Sequence, residues 1–200
     1  MNIGIDVDGV LTDMTDYQLR LGAPYFKKKY GYEVLNPDAY DVRDMFGCTD
    51  EERKKFGWRT IWTYILRYPA REGASEVIRK LKSEGHRIYI ITGRVFVTQR
   101  GFIGWLSRSI LTNWLKRHKI PYDGIFYCDE HHSARDKLAG CEKHRVDVMV
   151  EDKAENVRAL SKVMRVICFD CGYNQECEGG NIVRVRDWGE VERAIAGLAR

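Results

Sequence analysis

The stretch that most limits what this chain can fold into is its beginning, Asn2-Ile3-Gly4-Ile5-Asp6-Val7-Asp8-Gly9-Val10-Leu11-Thr12-Asp13. An apolar, β-branched run that halts at acid-x-acid-Gly reads as a buried parallel strand carrying two carboxylates at its C-terminal end. Open α/β sheets bind ligands at that end of their strands. Two anionic side chains so close repel each other in an apolar setting, so they call for a cation, a shared proton or access to water. The bland alternative is an ordinary strand running into a solvated Asp/Gly turn.

A parallel strand needs parallel neighbours, and the chain supplies them. Strands are predicted over 87–91, 124–127, 146–150, 165–169 and 181–185, the first ending at Thr92-Gly93-Arg94 and the third at Glu151-Asp152. Helical patterns fall between them: Ala74, Val77, Ile78 and Leu81 closed by Gly85, then a long helix including Trp105, Leu111, Trp114 and Leu115, then Asn156, Val157 and Leu160. The last helix has Asp187 at its cap and Glu190 three residues on, a capping-box spacing. This alternation predicts an α/β fold, a Rossmann-like parallel sheet with helices on both faces. With 200 residues, 44% of them hydrophobic, the chain suits one such domain with an insertion.

The insertion is expected over residues 14–68, leaving 1–13 and 69–200 as the core. It reads as helical: a segment over 16–30 ended by Gly31, a turn at Asn36-Pro37-Asp38, and a helix start at Asp50-Glu51-Glu52-Arg53. Trp58, Ile61, Trp62 and Ile65 fall three and four apart, as one apolar helix face should. That face is either the insert's own small core or a surface that grips substrate.

Charge and cysteine content narrow the function. A net charge of +4, spread along the chain, favours anionic ligands without arguing for a nucleic acid polymer. Gly101-Phe102-Ile103-Gly104 has the loop spacing of RNA-binding KH modules, but two glycines three apart are common by chance. No run approaches the roughly 20 apolar residues of a membrane span, and the N-terminus enters a strand without a basic-then-apolar leader. A cytoplasmic protein with no membrane partner is expected. Cys168-Phe169-Asp170-Cys171 with Cys177 resembles part of a zinc knuckle, yet its fourth ligand would have to be a distant cysteine, His131 or His132. Reduced thiols are the preferred reading.

In a parallel sheet all C-terminal strand ends share one edge. Asp6, Asp8, Thr92, Glu151 and Asp152 should therefore meet, together with a lysine from just upstream of the 146–150 strand. Four carboxylates, a hydroxyl and an ammonium make a site for a divalent cation and a phosphate. Carboxylate oxygens suit Mg²⁺, which is held by few protein carboxylates plus substrate phosphate. A receiver domain uses similar residues, but there the acidic pair ends the first strand rather than a late one. A nucleoside-triphosphate binder would need Gly-x-x-x-x-Gly-Lys-Ser/Thr, which does not occur.

This pattern resembles the haloacid dehalogenase (HAD) superfamily of phosphatases: an Asp-x-Asp strand (Asp6, Asp8), a Ser/Thr strand (Thr92), a lysine (Lys137) and a late acidic pair (Glu151, Asp152). It is closest to the 5′(3′)-deoxyribonucleotidases and related nucleotidases, through Asp6-Val7-Asp8-Gly9-Val10-Leu11-Thr12-Asp13, Ile120-Pro121-Tyr122-Asp123, Val146-Asp147-Val148-Met149-Val150-Glu151-Asp152 and the late Tyr173-Asn174. The likeness covers nearly the whole core and puts the insertion at that superfamily's first cap position. It implies Mg²⁺ as cofactor, Asp6 as nucleophile and Asp8 as acid–base. It further implies Thr92, Gly93 and Lys137 as phosphate-binding residues, and Asp6, Asp8, Glu151 and Asp152 around the metal. Lys143 competes for the lysine role, but related nucleotidases carry Asp-Lys at about the place of Asp136-Lys137.

The implied substrate is a small phosphomonoester, first a (deoxy)nucleoside monophosphate whose base lies against one of the cap rings Phe56, Trp58, Trp62 and Tyr64, with Trp58 and Trp62 the named candidates, since aromatic faces stack on bases. A sugar phosphate is the alternative, and a non-catalytic phosphate-binding module the less favoured one. Thr92-Gly93-Arg94 departs from the Thr-Ser-Pro of the deoxyribonucleotidases proper, which weakens the transfer of their substrate preference. The expected assembly is a monomer or homodimer.

Overall fold

The β-branched runs do pair side by side, every pair parallel. In the computed structural model, which describes residues 1–198, β1 (Asn2–Ile5), β2 (Arg87–Thr92), β3 (Gly124–Tyr127), β4 (Val148–Glu151), β5 (Arg165–Phe169) and β6 (Ile182–Val185) form one sheet in the order β3-β2-β1-β4-β5-β6. Strand order reverses between β1 and β4, and doubly wound sheets bind ligands at such a reversal. Register brings the functional ends level. Ile5 lies opposite both Ile90 of β2 and Val150 of β4, so the residues just beyond them emerge at one edge.

Helices cover both faces because each strand alternates its side chains between them. Ile3, Ile5, Ile88, Ile90, Val148 and Val150 face a core built with α4 (Ala74–Ser83), α5 (Gly101–Arg117) and α8 (Trp188–Leu198). Ile91, Met149, Val166 and Cys168 face the other way, toward α6 (Ser133–His144) and α7 (Ala154–Leu160). Asp187 accepts the Glu190 amide at 2.7 Å, as its cap position predicted. Gly101 and Gly104 lie in the first turn of α5, where a side chain at 104 would strike the Gln99 carbonyl, so a KH-type loop is ruled out. All six cysteines are free thiols. Burial pushes Cys128, Cys141 and Cys168 up to about 12, in keeping with apolar packing. No described helix is long and apolar enough to cross a membrane.

Between β1 and α4 come three cap helices: α1 (Met14–Tyr30), α2 (Val42–Phe46) and α3 (Asp50–Arg67). Asp13 caps α1 by accepting the Asp16 amide at 2.9 Å, and Gly31 ends the helix at φ 76°. A reciprocal Thr49–Glu52 capping box starts α3. Phe26, Met45, Phe46 and Phe56 form the cap's own core.

The buried face of α3 differs from the predicted one. Phe56, Thr60 and Tyr64, four residues apart, are buried with Ile65, while Trp58 (65% exposed) and Trp62 (47%) face solvent. The cause is a polar residue inside the buried stripe. Thr60 donates to the Phe56 carbonyl at 2.9 Å and accepts from the Tyr17 hydroxyl at 2.6 Å, so its hydroxyl is satisfied where an apolar pattern would not place it.

Candidate active site

The site is assembled from loops that leave the C-terminal ends of β1, β2 and β4. At the end of β1 the Asp6 amide still donates to the Val150 carbonyl, at 3.1 Å, and the chain then turns sharply through Gly9 at φ 92°. A Cβ on Gly9 would overlap the Asp152 carboxylate. Glycine here serves two needs, the left-handed backbone and the close approach of the late acidic pair.

Of the two candidate lysines, only Lys137 reaches the edge. It projects from α6 into the protein, with Nζ 3.0 Å from Asp6 Oδ2 and in contact with Glu151 Oε2. The Lys143 ammonium lies over the Phe126 ring, 5.5 Å from its centroid. Thr92 is fully buried and its hydroxyl accepts the Arg94 amide at 3.3 Å. Thr92, Gly93 and Lys137 line the same cleft, of about 370 Å³, as Asp6, Asp8 and Asp152.

The three innermost carboxylates have different surroundings. Glu151 has both oxygens occupied, accepting from the Asp152 and Lys153 amides at 3.0 and 2.9 Å and from Lys137. Burial works to raise its carboxyl, but Lys137 and these amides outweigh burial and hold it low. Asp152 takes the Tyr173 hydroxyl on Oδ2, and its carbonyl accepts from Asn174 Nδ2 at 2.7 Å. Asp152 Oδ1 and Asp6 Oδ1 are buried without any hydrogen-bond partner, and so is Asn156 Oδ1, on the wall of the cleft.

This leaves uncompensated charge. Burial pushes the Asp6 carboxyl up to about 7 against the pull of Lys137, with Glu151 and Asp8 adding to the rise. Asp152 is driven well above the usual carboxylate range by burial and by the negative charges of Glu151 and Asp6. The Lys137 ammonium, though burial disfavours it, is held above its ordinary range by Asp6 and Glu151. One buried ammonium thus faces three carboxylates. Asp6, Glu151 and Asp152 each offer an oxygen within 4.8 Å of the others, and two of the three residues carry an orphaned one. Hard oxygen donors, excess negative charge and unfilled acceptors fit Mg²⁺.

Asp8 is held from two sides by residues that sequence reasoning did not assign. The Tyr64 hydroxyl donates to Oδ1 at 2.7 Å, and Arg94 Nη2 lies 3.0 Å from the same oxygen. Tyr64 was visible only as one of several cap aromatics, and Arg94 only as a departure from Thr-Ser-Pro. Asn156 was legible only as part of a helix. A polar residue that becomes buried solely through tertiary packing leaves no periodic trace in the sequence.

The cap side of the cleft does not contain the predicted tryptophans. Trp58 stacks on Phe96 with centroids 6.0 Å apart and borders a separate groove with Tyr25 and Lys55, while Trp62 is open to solvent. They sit on the helical face opposite the buried 56/60/64 stripe and do not line the cleft at Asp6. The cap rings at the cleft are Tyr17, Tyr40, Phe56 and Tyr64. Three of these are buried in the cap, whereas Tyr40, edge-on to Tyr173 at 5.0 Å, is 43% exposed.

Comparison with known proteins finds relatives over the whole chain. A family model described as 5′ nucleotidase, deoxy (pyrimidine), cytosolic type C protein (NT5C) matches residues 1–200. A nucleotidase of Clostridium acetobutylicum is 30% identical over 195 residues, covering 96% of this chain and 91% of its own length. Among solved structures, a HAD-superfamily hydrolase from Ehrlichia chaffeensis superposes with a TM-score of 0.56 at 12% identity, over 100% of this chain and 97% of that one. D,D-heptose 1,7-bisphosphate phosphatase from B. bronchiseptica, crystallised with magnesium and phosphate, gives 0.55 at 13% identity over 98% of both chains. At such identities the structural matches speak for the fold alone.

Proposed function

The chain belongs to the NT5C family of the HAD superfamily, and from that premise we propose that it is a Mg²⁺-dependent 5′-nucleotidase acting on (deoxy)nucleoside monophosphates through an aspartyl-phosphate. The observation that carries the reading is the orphaned Asp6 Oδ1, buried beside Lys137 and facing the cleft with Asp152. A buried acceptor left unpaired at the cleft is open to a reacting phosphorus or to a cation.

One carboxylate oxygen of Asp6 attacks phosphorus in line, the bond from phosphorus to the ester oxygen breaks, and Asp8 delivers a proton to the departing alkoxide. Asp8 then takes a proton from the water that attacks the aspartyl-phosphate, which frees inorganic phosphate and restores Asp6. Thr92, the Gly93 backbone and Lys137 hold the non-bridging oxygens. Glu151 fixes Lys137 and the turn that presents Asp152. Asp6, Asp152 and the Asp8 carbonyl are the residues that would hold Mg²⁺, with Asn156 placed to orient a water; the ion supplies charge shielding between the anionic nucleophile and phosphate.

For the base we assign Tyr40, the half-exposed ring at the cleft, in place of Trp58 and Trp62. The polar groups of Gln18, Asp41 and Arg53 on the same wall support the second reading, a sugar phosphate. A panel of phosphomonoesters with and without Mg²⁺ tests both. Nucleoside monophosphates should exceed sugar phosphates in kcat/KM by at least tenfold, about 1.4 kcal/mol of differential transition-state binding. Preference for sugar phosphates would overturn the nucleotidase reading, and absence of any Mg²⁺-dependent phosphate release would overturn the enzyme reading.

A further inference from the structure

Arg94 stands directly after the Thr92-Gly93 phosphate-binding pair, is 4% exposed, and presents none of its guanidinium nitrogens in an aligned hydrogen bond. A buried guanidinium in that state needs another source of stabilisation. It has the ring faces of Tyr64 and Trp114, whose centroids lie 5.0 and 5.7 Å from Cζ, and one counter-ion, Asp8 Oδ1 at 3.0 Å. Arg94 lines the cleft with Thr92 and Gly93, and its nearest anionic group is Asp8. Its charge acts on Asp8.

Tyr64 approaches the same oxygen from the cap. Its hydroxyl donates to Asp8 Oδ1 at 2.7 Å and lies 2.7 Å from the Thr12 hydroxyl, which in turn is 3.2 Å from the Val7 carbonyl. Because the Tyr64 proton is committed to Asp8, the Thr12 proton serves the shorter contact, and the hydroxyls run in order Thr12 to Tyr64 to Asp8. Thr12 and Tyr64 are both buried. No hydrogen bond reaches Asp8 Oδ2 among the described residues, and Asp8 lines the cleft.

We propose that Arg94 and Tyr64 are positioning residues for the acid–base step: they hold Asp8 by Oδ1 and leave Oδ2 as the oxygen that passes its proton to the leaving group. The proposal rests on the assignment of Asp8 as acid–base. It makes that step depend on the cap, because the Tyr64 half of the clamp is carried by α3 and the Arg94 half by the core. A proton donor swung out of line by a rotamer change loses part of the 10²–10⁴-fold that general acid catalysis contributes.

The test is leaving-group dependence. kcat/KM is measured for wild type, Tyr64→Phe, Arg94→Met and Arg94→Lys on an alkyl ester, a nucleoside monophosphate, and on 4-nitrophenyl phosphate, whose phenolate leaves without a proton. Tyr64→Phe and Arg94→Met should lose about 10- to 100-fold on the alkyl ester and less than about 3-fold on the aryl ester. Arg94→Lys, which keeps a cation without the planar stack, should show a smaller loss with the same bias. Thermal unfolding separates the fold from the effect, and if Arg94→Met fails to fold, Tyr64→Phe, which removes one oxygen, decides. Equal losses on both esters, or a loss carried by KM alone, would overturn the clamp. A wild type inactive on both esters would instead remove the phosphatase reading beneath it.

Discussion

Removing the negative charge of Asp6 should stabilise the metal-free protein while abolishing turnover. Burial, helped by Glu151 and Asp8, moves the Asp6 carboxyl from 3.8 to about 7 in spite of Lys137. The folded protein therefore holds a proton that the unfolded chain releases, and stability falls as pH rises from about 4 through 7. A shift of about three units corresponds to about 4 kcal/mol lost between pH 4 and pH 8. For a chain of this size that is a fall in Tm on the order of 10 °C. Asp6→Asn keeps the shape without the charge, and Lys137 retains Glu151 as partner, so the variant should be flatter with pH and more stable than wild type at pH 8 in EDTA. Denaturant unfolding at several pH values, with EDTA or with saturating Mg²⁺, measures this. Mg²⁺ should raise wild-type stability at pH 8 by mass action and do far less for Asp6→Asn. Wild-type stability that is level or rising over pH 4–8 in EDTA, or an Asp6→Asn protein less stable at pH 8, would refute the electrostatic account.

The remaining expectations concern metal, base and turn. Asp152→Ala should raise the Mg²⁺ concentration for half-maximal activity by more than tenfold, while Lys137→Ala lowers kcat with a smaller change in that midpoint; a Mg²⁺ titration of each variant separates them. Tyr40→Ala should lose about 5- to 150-fold in kcat/KM on nucleotides relative to a base-free phosphate, the kinetic equivalent of 1–3 kcal/mol of stacking, and Trp58→Ala should lose less than about 2-fold on either. Gly9→Ala places a Cβ against the Asp152 carboxylate at φ 92°, so both Mg²⁺ affinity and Tm should fall, as calorimetry on the variant would show.

The fold was legible because its signals are local. Most strands are short apolar, β-branched runs that stop at a polar residue, and α1, α3 and α8 begin or end at recognisable caps: Asp13 and Gly31, Thr49 with Glu52, and Asp187. Parallel pairing then leaves little freedom, since crossover connections put all C-terminal ends on one edge. That is why the sequence alone places Asp6, Thr92, Lys137 and Asp152, up to 146 residues apart, in one cleft. The cap failed on the same logic. Apolar spacing selects the face of Trp58, Ile61, Trp62 and Ile65. Yet the buried stripe includes Thr60, whose hydroxyl is paired on both sides, and it packs into a cluster with Tyr17 of α1, Tyr64 and Tyr68, whose hydroxyls find partners at Thr60, Asp8 and Asp16. A small cap built of tyrosines buries polar atoms, and apolar periodicity does not register such a core.

Arg94 stands where the Thr-Ser-Pro pattern of the deoxyribonucleotidases has proline. Proline there could not place a charge beside Asp8; arginine does, from the backbone position that Thr92 secures by accepting its amide. The ion pair then has a cost that the site must bear, since removing Asp8 would leave a guanidinium buried between Tyr64 and Trp114 with no counter-ion. Asp8 and Asp6 are thereby given opposite thermodynamic roles two residues apart. Neutralising Asp6 relieves repulsion, whereas neutralising Asp8 strands a cation, so Asp8→Asn should lower Tm where Asp6→Asn raises it, in EDTA at the same pH. Both variants lose activity, and only their unfolding curves tell them apart. If Asp8→Asn were instead as stable as Asp6→Asn, Arg94 would have to find its compensation elsewhere, and the charge balance drawn across the Asp-x-Asp turn would be wrong.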